Sequence, residues 1–403
     1  MPNIEMNTVS DTSEAPEIVV EARAWLEGGL AALREEFPSH MNPSQACRLR
    51  WNALLCDANL IALTWPEEYG GRALPIADLI AFHELCATKG APQPSNSIAH
   101  SILAPTLLQF GTAAQKARFL PGIRLGTEIW CQGYSEPGSG SDLASVKSRA
   151  VKGEAGWTLN GHKIWTTQAH LARWCFALVR TDPESQGHRG LSFMLVDMQS
   201  PGVRVCPIRQ LTGEADYNEV FFENVTVPDE NIVGQVGDGW RVAMAAAEFE
   251  RGIYFLPRVV QLEHELGRAE SLLARVSAEG SDAATYGSRL LDARDRCQVI
   301  RWRVERVVSR VAAGNTPGID GAILKLLWSE TRQMVIELQL DLLGERAAIG
   351  PGADGDYAED ASIVREFLWS RAETIVAGTS EIQRNIIAER VLGLPKDKIA
   401  NAD

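Results

Sequence analysis

Residues Trp130–Thr167, WCQGYSEPGSGSDLASVKSRAVKGEAGWTLNGHKIWTT, decide how this chain is read. The stretch sets Ser135, Ser141, Trp165, Thr166 and Thr167 around a Gly-rich turn. It carries no lysine of the P-loop kind and no metal-ligand spacing. Such a site suits a planar, anionic organic cofactor better than a nucleotide triphosphate. Inside the stretch, Trp157-Thr158-Leu159 and Lys163-Ile164-Trp165 flank Asn160-Gly161, a pair that predicts a type I′ hairpin turn.

Working outward, β texture extends from Ile129 to about Gly237. Strands are expected at Phe176–Val179, Ser192–Asp197, Val203–Ile208 and Glu219–Phe222. Short strands separated by turn signals predict an antiparallel barrel or sandwich. The flanking segments have helical periods. Val19, Ala22, Trp25 and Leu26 share one apolar face, as do Leu79, Phe82, His83 and Cys86, with a Pro/Gly break at TWPEEYGGRALP (64–75) between helices. Beyond Gly239, Val242, Ala246, Phe249 and Ile253 mark another buried face. Loops are expected at 278–286 and 350–360, and Ser380 with Gln383 fits a capping box. The expected division is a flexible arm at 1–17, a helical domain at 18–128, a β domain at 129–237 and a helical domain at 238–403.

Composition narrows the function. The chain has 403 residues, 45% hydrophobic, with a formal net charge of -13. A broad basic surface for nucleic acid is therefore not expected, although a local basic groove remains open. Seven dispersed cysteines without a C-x-x-C pair suggest reduced thiols and a cytoplasmic location. No run approaches the roughly 20 apolar residues of a membrane helix, and the polar N-terminus lacks a targeting pattern. The seven histidines sit in no recognisable ligand motif, so neither a metal nor a Ser-His-Asp site is expected.

The Gly-rich stretch, the segment NEVFFENVTVPDENIVGQVGDGW (218–240) and the segment GTSEIQRNIIAER (378–390) together closely resemble the acyl-CoA dehydrogenase family of flavoproteins. The resemblance runs from about residue 18 to 395. It implies an α+β fold: N-terminal helices, a middle antiparallel β-barrel and a C-terminal four-helix bundle. It implies FAD, with Tyr134, Ser135, Gly140 and Ser141 on the loop beside flavin and substrate, Trp165 against the ring face and Thr167 near N5. Thr166 stands where the family usually has Ile. Thr379 and Glu381 fall on the cofactor's adenosine side.

The family reaction removes an α-proton and a β-hydride from an acyl thioester. Most members place the base just before the Gly-Thr of the C-terminal motif. That position here is Ala377, which cannot act as a base. Some members that handle branched or long acyl groups carry the Glu on an earlier helix, one residue before an Arg, and Glu250-Arg251 matches that place. The resemblance thus implies Glu250 as base, with Ser141, Arg251, Ala377 and Gly378 at the substrate; Glu248 is the next carboxylate to consider. A backbone N–H donor to the thioester carbonyl survives at Ala377 whatever its side chain. Small residues at Gly252 and Ala377 hint at a bulky acyl group, although ordinary helix packing explains them as well.

Two departures stand out. The family's R-x-x-F-G element is not found in 272–290. Its Q-x-x-G-G becomes Asp341-Leu342-Leu343-Gly344-Glu345, which sets two acids where a pyrophosphate would be. Either that contact is absent or the chain shifts there. The implied partners are an acyl-CoA or carrier-protein-bound substrate, an electron-transfer flavoprotein, and copies of the chain in a homodimer or homotetramer, or an unlike subunit. A flavin oxidase or monooxygenase and a non-catalytic, partner-dependent subunit are the alternatives.

Overall fold

The computed structural model describes residues 15–38, 43–252, 256–278, 283–313, 318–353 and 355–396. Most of the expected N-terminal arm lies outside them.

Five helices come first: α1 (Glu17–Glu36), α2 (Gln45–Asp57), α3 (Ile76–Thr88), α4 (Ala104–Phe110) and α5 (Ala113–Leu125). In α1, Val19, Ala22, Leu26, Leu30 and Leu33 are buried at three- and four-residue steps, so one stripe faces the core. It meets Trp51 and Leu55 of α2 and Phe82 of α3. The 64–75 break holds a short 3₁₀ turn, Glu67–Tyr69, closed by Gly70 at φ 80°. A Cβ on Gly71 would lie 2.1 Å from the Trp65 carbonyl oxygen, so only glycine fits there. A π-helical turn, Ala99–Leu103, runs into α4.

The sheet follows: β1 (Trp130–Gly133), β2 (Arg149–Gly153), β3 (Gly156–Thr167), β4 (Trp174–Arg180), β5 (Leu191–Asp197), β6 (Val203–Ile208), β7 (Tyr217–Val227) and β8 (Ile232–Val233). The order is β6-β7-β3-β2-β4-β5-β8, with β1 on β4. Pairing is antiparallel except where β1 and β2 each run parallel to β4. Strands β4 and β5 are apolar at nearly every position because both faces are covered. Phe176, Leu178, Phe193 and Leu195 face one core with helical residues Leu103, Leu107 and Phe119. Cys175, Ala177, Val179, Met194 and Val196 face the other, within the sheet.

The expected Asn160-Gly161 hairpin does not form. Both residues lie within β3, where the register against β7 shifts between Leu159 and Gly161. The Asn160 carboxamide is taken by Asn224, accepting from its N–H at 2.9 Å and donating to its Oδ1 at 3.1 Å. Gly161 is required because Ser148 Oγ would lie 2.1 Å from a Cβ. Long-range pairing thus overrides the local turn signal, and the tight connection is at Gly153–Gly156, between β2 and β3.

Among the described residues six helices follow: α6 (Gly239–Gly252), α7 (Leu256–Ala278), α8 (Ala283–Ala312), α9 (Asp320–Leu343), α10 (Ala358–Glu373) and α11 (Ser380–Arg390). Helices α7, α8 and α9 share a core of Leu262, Leu266, Cys297, Ile300, Trp328 and Val335. Ile363 of α10 joins through Leu338 and Leu342. The loops expected at 278–286 and 350–360 overlap helix, since α8 starts at Ala283 and α10 at Ala358, and residues 279–282 and 354 lie outside the described residues. Among the described residues, no helix is long and apolar enough to cross a membrane.

Candidate functional site

The site begins at a defect in β3. Its register against β7 slips again between Lys163 and Thr166, and Trp165 has φ 60°. A bulge re-aims the side chain it carries. Here it turns the Trp165 indole outward, 57% exposed, in a strand whose neighbours Lys163 and Thr166 are fully buried. Thr167 beside it is half-buried. Thr166 Oγ1 is buried with no hydrogen-bond partner among the described residues.

The Gly-rich loop is held against this bulge by a buried ion pair. Lys163 Nζ donates to Glu136 Oε1 at 2.8 Å, to the Tyr134 carbonyl at 3.0 Å and to the Leu178 carbonyl at 2.7 Å. Glu136 also accepts the N–H groups of Lys147 and Ser148 at 2.6 and 2.9 Å. Burial pushes Glu136 up, but the ammonium and these donors outweigh it and hold the carboxyl below its ordinary range. Burial pulls the Lys163 ammonium down, against Glu136. The Ser135 carbonyl accepts from Ile164 N–H at 3.0 Å. Tyr134, Ser135 and Trp165 are therefore fixed to one another. Tyr134 is buried against Phe176 and Phe193, whereas Gly140 and Ser141 are exposed. A flat exposed indole with the half-buried hydroxyls of Ser135 and Thr167 beside it is a set that fits an isoalloxazine.

An aromatic relay leads from the sheet to the C-terminal motif. Trp165 meets Tyr217 edge-on at 6.2 Å, and Tyr217 stacks on Trp369 of α10 at 5.9 Å with planes 3° apart. Arg365 of α10 forks onto Glu214 at 2.9 and 2.7 Å. Sequence reasoning missed Tyr217, Trp369 and this pair, which come from segments some 150 residues apart.

After α10 the chain turns through Ala377 at φ 54° and Gly378 at φ 89°. Gln383 Nε2 bonds the carbonyls of both, at 3.0 and 3.2 Å. Their own N–H groups have no acceptor among the described residues. The N-cap of α11 is Thr379, not Ser380, because Thr379 Oγ1 accepts from Ile382 N–H at 3.2 Å. Gln383 does not complete a capping box; it is spent on the turn. Thr379→Ala is expected to cost about 1 kcal/mol, read as an earlier denaturation midpoint. Glu381 is exposed, and its own N–H and the Thr379 hydroxyl hold its carboxyl below the ordinary range.

Helix α6 is rooted on the sheet. A Cβ on Gly239 would lie 2.4 Å from Ser192 backbone, so glycine lets the helix start against β5. Val242 and Ala246 are buried as expected, Phe249 is half-buried and Glu248 exposed. Glu250 lies in the last turn. Its side chain, those of Arg251 and the expected face residue Ile253, and the surroundings of Gly252 lie outside the described residues.

The altered 341–345 segment is ordinary helix end. Asp341 is paired with Arg289 at 2.7 Å, which offsets one of its two acids, and Glu345 is exposed.

Behind the C-terminal motif lies a buried charge cluster that the sequence did not announce. Arg332, 1% exposed, bonds Glu265 at 2.8–3.1 Å and also bonds Glu366 and Glu373. Burial, together with Glu265 and Glu366, outweighs Arg332 and Arg258 and pushes Glu373 up to about 7. An acid whose folded pKa is raised binds more protons in the folded state, so its contribution to stability falls as pH rises from about 4.5 to about 7. Glu373→Gln is expected to flatten that slope. An unchanged slope in denaturant midpoints measured across that range would refute it.

Comparison with known proteins agrees with this layout. Family models for the acyl-CoA dehydrogenase N-terminal, middle and C-terminal domains match residues 12–127, 131–225 and 237–392. Acyl-CoA dehydrogenase IpdE1 of Mycobacterium tuberculosis is 42% identical over 95% of this chain and 99% of its own. A solved steroid ACAD, Tcur3481-Tcur3483, superposes with a TM-score of 0.82 at 24% identity, over 95% of this chain and 99% of its own. The ChsE4-ChsE5 complex of Mycobacterium tuberculosis gives 0.79 at 26% identity, over 97% and 100%. With all three domains matched and a relative so similar along its full length, the chain belongs to the acyl-CoA dehydrogenase family.

Proposed function

We propose that this enzyme oxidises an acyl-CoA thioester to the trans-2-enoyl-CoA. The observation that carries the reading is the Ala377–Gly378 turn. Among the described residues its N–H groups have no acceptor, which leaves them to bond a thioester carbonyl, and it offers no carboxylate of its own. The base then comes from Glu250, at the end of a helix anchored on the sheet. Glu250 takes the α-proton, the β-hydrogen leaves with its electron pair, and the α–β double bond forms.

FAD is the family's cofactor, and when bound it would supply the hydride acceptor. Trp165 would wall the ring, with Thr166, Thr167, Ser135 and Tyr134 beside it and Gly140 and Ser141 on the adjoining loop. Thr379 and Glu381 would face the adenosine side. Ser141, Arg251, Ala377 and Gly378 would meet the substrate. Bonding of the carbonyl by the turn lowers the α-proton's pKa, which eases its removal by a carboxylate. Electrons pass onward to an electron-transfer flavoprotein. The working division at 18–128, 129–237 and 238–403 places this chemistry where the sheet and the second helical domain meet.

The test is an anaerobic titration of the FAD-loaded protein with short, branched and steroid-like acyl-CoAs. Bleaching of the flavin with a product two hydrogens lighter is expected. A protein that holds FAD and is bleached by none of them defeats the proposal.

A second reading makes the chain one member of an unlike pair. The 341–345 segment departs from the motif that the resemblance puts beside FAD, and its Asp341 is paired with Arg289 instead; the ChsE4-ChsE5 complex is among the solved neighbours. Purification without FAD, reversed by a co-expressed partner, would favour this reading over a homo-oligomer.

A further inference from the structure

Trp165 holds a conformation that its own strand does not explain. Its φ of 60° lies in the left-handed region, as does that of Gln168 at 55°. A bulky residue stays there only where its surroundings enforce it. The indole is 57% exposed, so burial under the sheet does not enforce it. Tyr217 lies against it, edge-on at 6.2 Å with the planes 85° apart. Tyr217 is held in turn from outside the sheet, stacked on Trp369 of α10 at 5.9 Å with planes 3° apart.

Helix α10 is itself pinned at this place. Arg365 and Trp369 stand four residues apart and share one helix face. The Arg365 guanidinium forks onto Glu214 at 2.9 and 2.7 Å, a paired bond that sets direction as well as distance. It also lies over the Trp369 ring, 5.8 Å from the centroid. Glu214 and Tyr217 are three residues apart at the entry to β7, so one helix face grips one short segment twice. Elsewhere on α10, Glu366 and Glu373 bond Arg332, which roots the helix in the buried charge cluster. The same helix leads into the Ala377–Gly378 turn, four residues beyond its end at Glu373. A single ring contact is weak, but the far end of this pair is anchored by an ion pair and a rooted helix.

We infer that Tyr217 and Trp369 are positioning residues for the proposed reaction: their stack holds the Trp165 indole in place and refers it to the helix that leads into the Ala377–Gly378 turn. On the reading that Trp165 walls the flavin, on which this rests, the hydride acceptor and the thioester are then set by one element. Both residues act through Trp165. A displacement of about 1 Å at a reacting centre costs on the order of 10²-fold in rate.

The experiment compares FAD-loaded wild type, Trp165→Leu, Tyr217→Leu, Trp369→Leu and Trp369→Phe by two readings. The first is the fluorescence of bound FAD, which a neighbouring indole quenches and which needs no substrate. The second is the anaerobic rate of bleaching at saturating acyl-CoA, with the acyl-CoA affinity measured beside it. Tyr217→Leu and Trp369→Leu are expected to brighten the flavin toward the level of Trp165→Leu, and to slow bleaching about tenfold or more at little-changed affinity. Trp369→Phe keeps a ring to stack and is expected to match wild type in both. Wild-type fluorescence, or a wild-type bleaching rate, in folded Trp369→Leu overturns the inference. So does a Trp369→Phe variant as impaired as Trp369→Leu, because the loss then comes from the helix and not from the stack. If Trp369→Leu does not fold, Tyr217→Leu decides by the same readings from the sheet side of the pair. If Trp165→Leu leaves the fluorescence unchanged, Trp165 does not wall the ring and the inference falls with that assignment. A wild type that acyl-CoA never bleaches defeats the dehydrogenase proposal, while the fluorescence series still decides whether the stack positions Trp165.

Discussion

Glu250→Gln is expected to abolish bleaching of the flavin by acyl-CoA while FAD and the thioester still bind. The C-terminal turn carries Ala377, so it has no acid to offer. Glu373, one turn earlier, is buried and bonded to Arg332. Glu381 is exposed and hydrogen-bonded at the start of α11. Glu248 is exposed on α6. Glu250 is the remaining carboxylate at the place where the resemblance expects a base. Gln keeps the size and the hydrogen-bonding reach of Glu but cannot take a proton. A positioned base is worth on the order of 10²–10⁴ in rate, so the loss should appear in kcat rather than in ligand affinity. Stopped-flow reduction under anaerobic conditions reads it directly. Bleaching at the wild-type rate in Glu250→Gln would transfer the role, with Glu248→Gln the next variant to make. Loss of FAD in the variant would instead mean that the side chain holds the fold, and the base assignment would have no support.

What could be read from the sequence follows from the range of the interactions. The apolar runs of β4 and β5 and the stripe of α1 declare themselves, because burial writes a local pattern. Asn160-Gly161 misleads for the converse reason. Its local turn preference is real, but pairing with Asn224 and the close approach of Ser148 decide the backbone there. The Trp165 bulge depends on a register between β3 and β7, and register is not visible in one strand alone. Thr379 and Ser380 are both good capping residues, so only the bond to Ile382 N–H separates them. Tyr217 and Trp369 meet across some 150 residues, with nothing near either to announce the other. The flavin loop was legible through its resemblance and not through its physics. Lys163 and Glu136, which fix that loop, read in sequence as two ordinary charges.

Arg332→Met is expected to destabilise the C-terminal helices by about 3–5 kcal/mol, the largest effect on folding foreseen for a single substitution here. Arg332 is fully buried on α9, and its carboxylate partners come from α7 and α10, at Glu265, Glu366 and Glu373. One guanidinium therefore pairs with three acids, of which Glu265 and Glu373 are buried and Glu366 is half-buried. Part of the excess negative charge is already relieved by the raised pKa of Glu373. Without the arginine, the acids face one another, and each must take up a proton or draw in solvent. The cost should therefore grow with pH, unlike that of a plain cavity. The cluster also supports the motif: Gln333, the next residue, bonds the Ser370 carbonyl at 2.7 Å and Thr374 Oγ1 at 3.2 Å. FAD affinity should consequently fall along with stability. The compensated variant Arg332→Met/Glu265→Leu/Glu373→Gln removes the stranded charge and should regain much of the loss, since an apolar replacement of a whole buried ion cluster is often close to neutral. Urea unfolding of the three proteins at pH 6 and pH 8 makes the comparison. A single Arg332→Met variant that unfolds at the wild-type midpoint at both pH values would show that the cluster is solvated and carries no such energy.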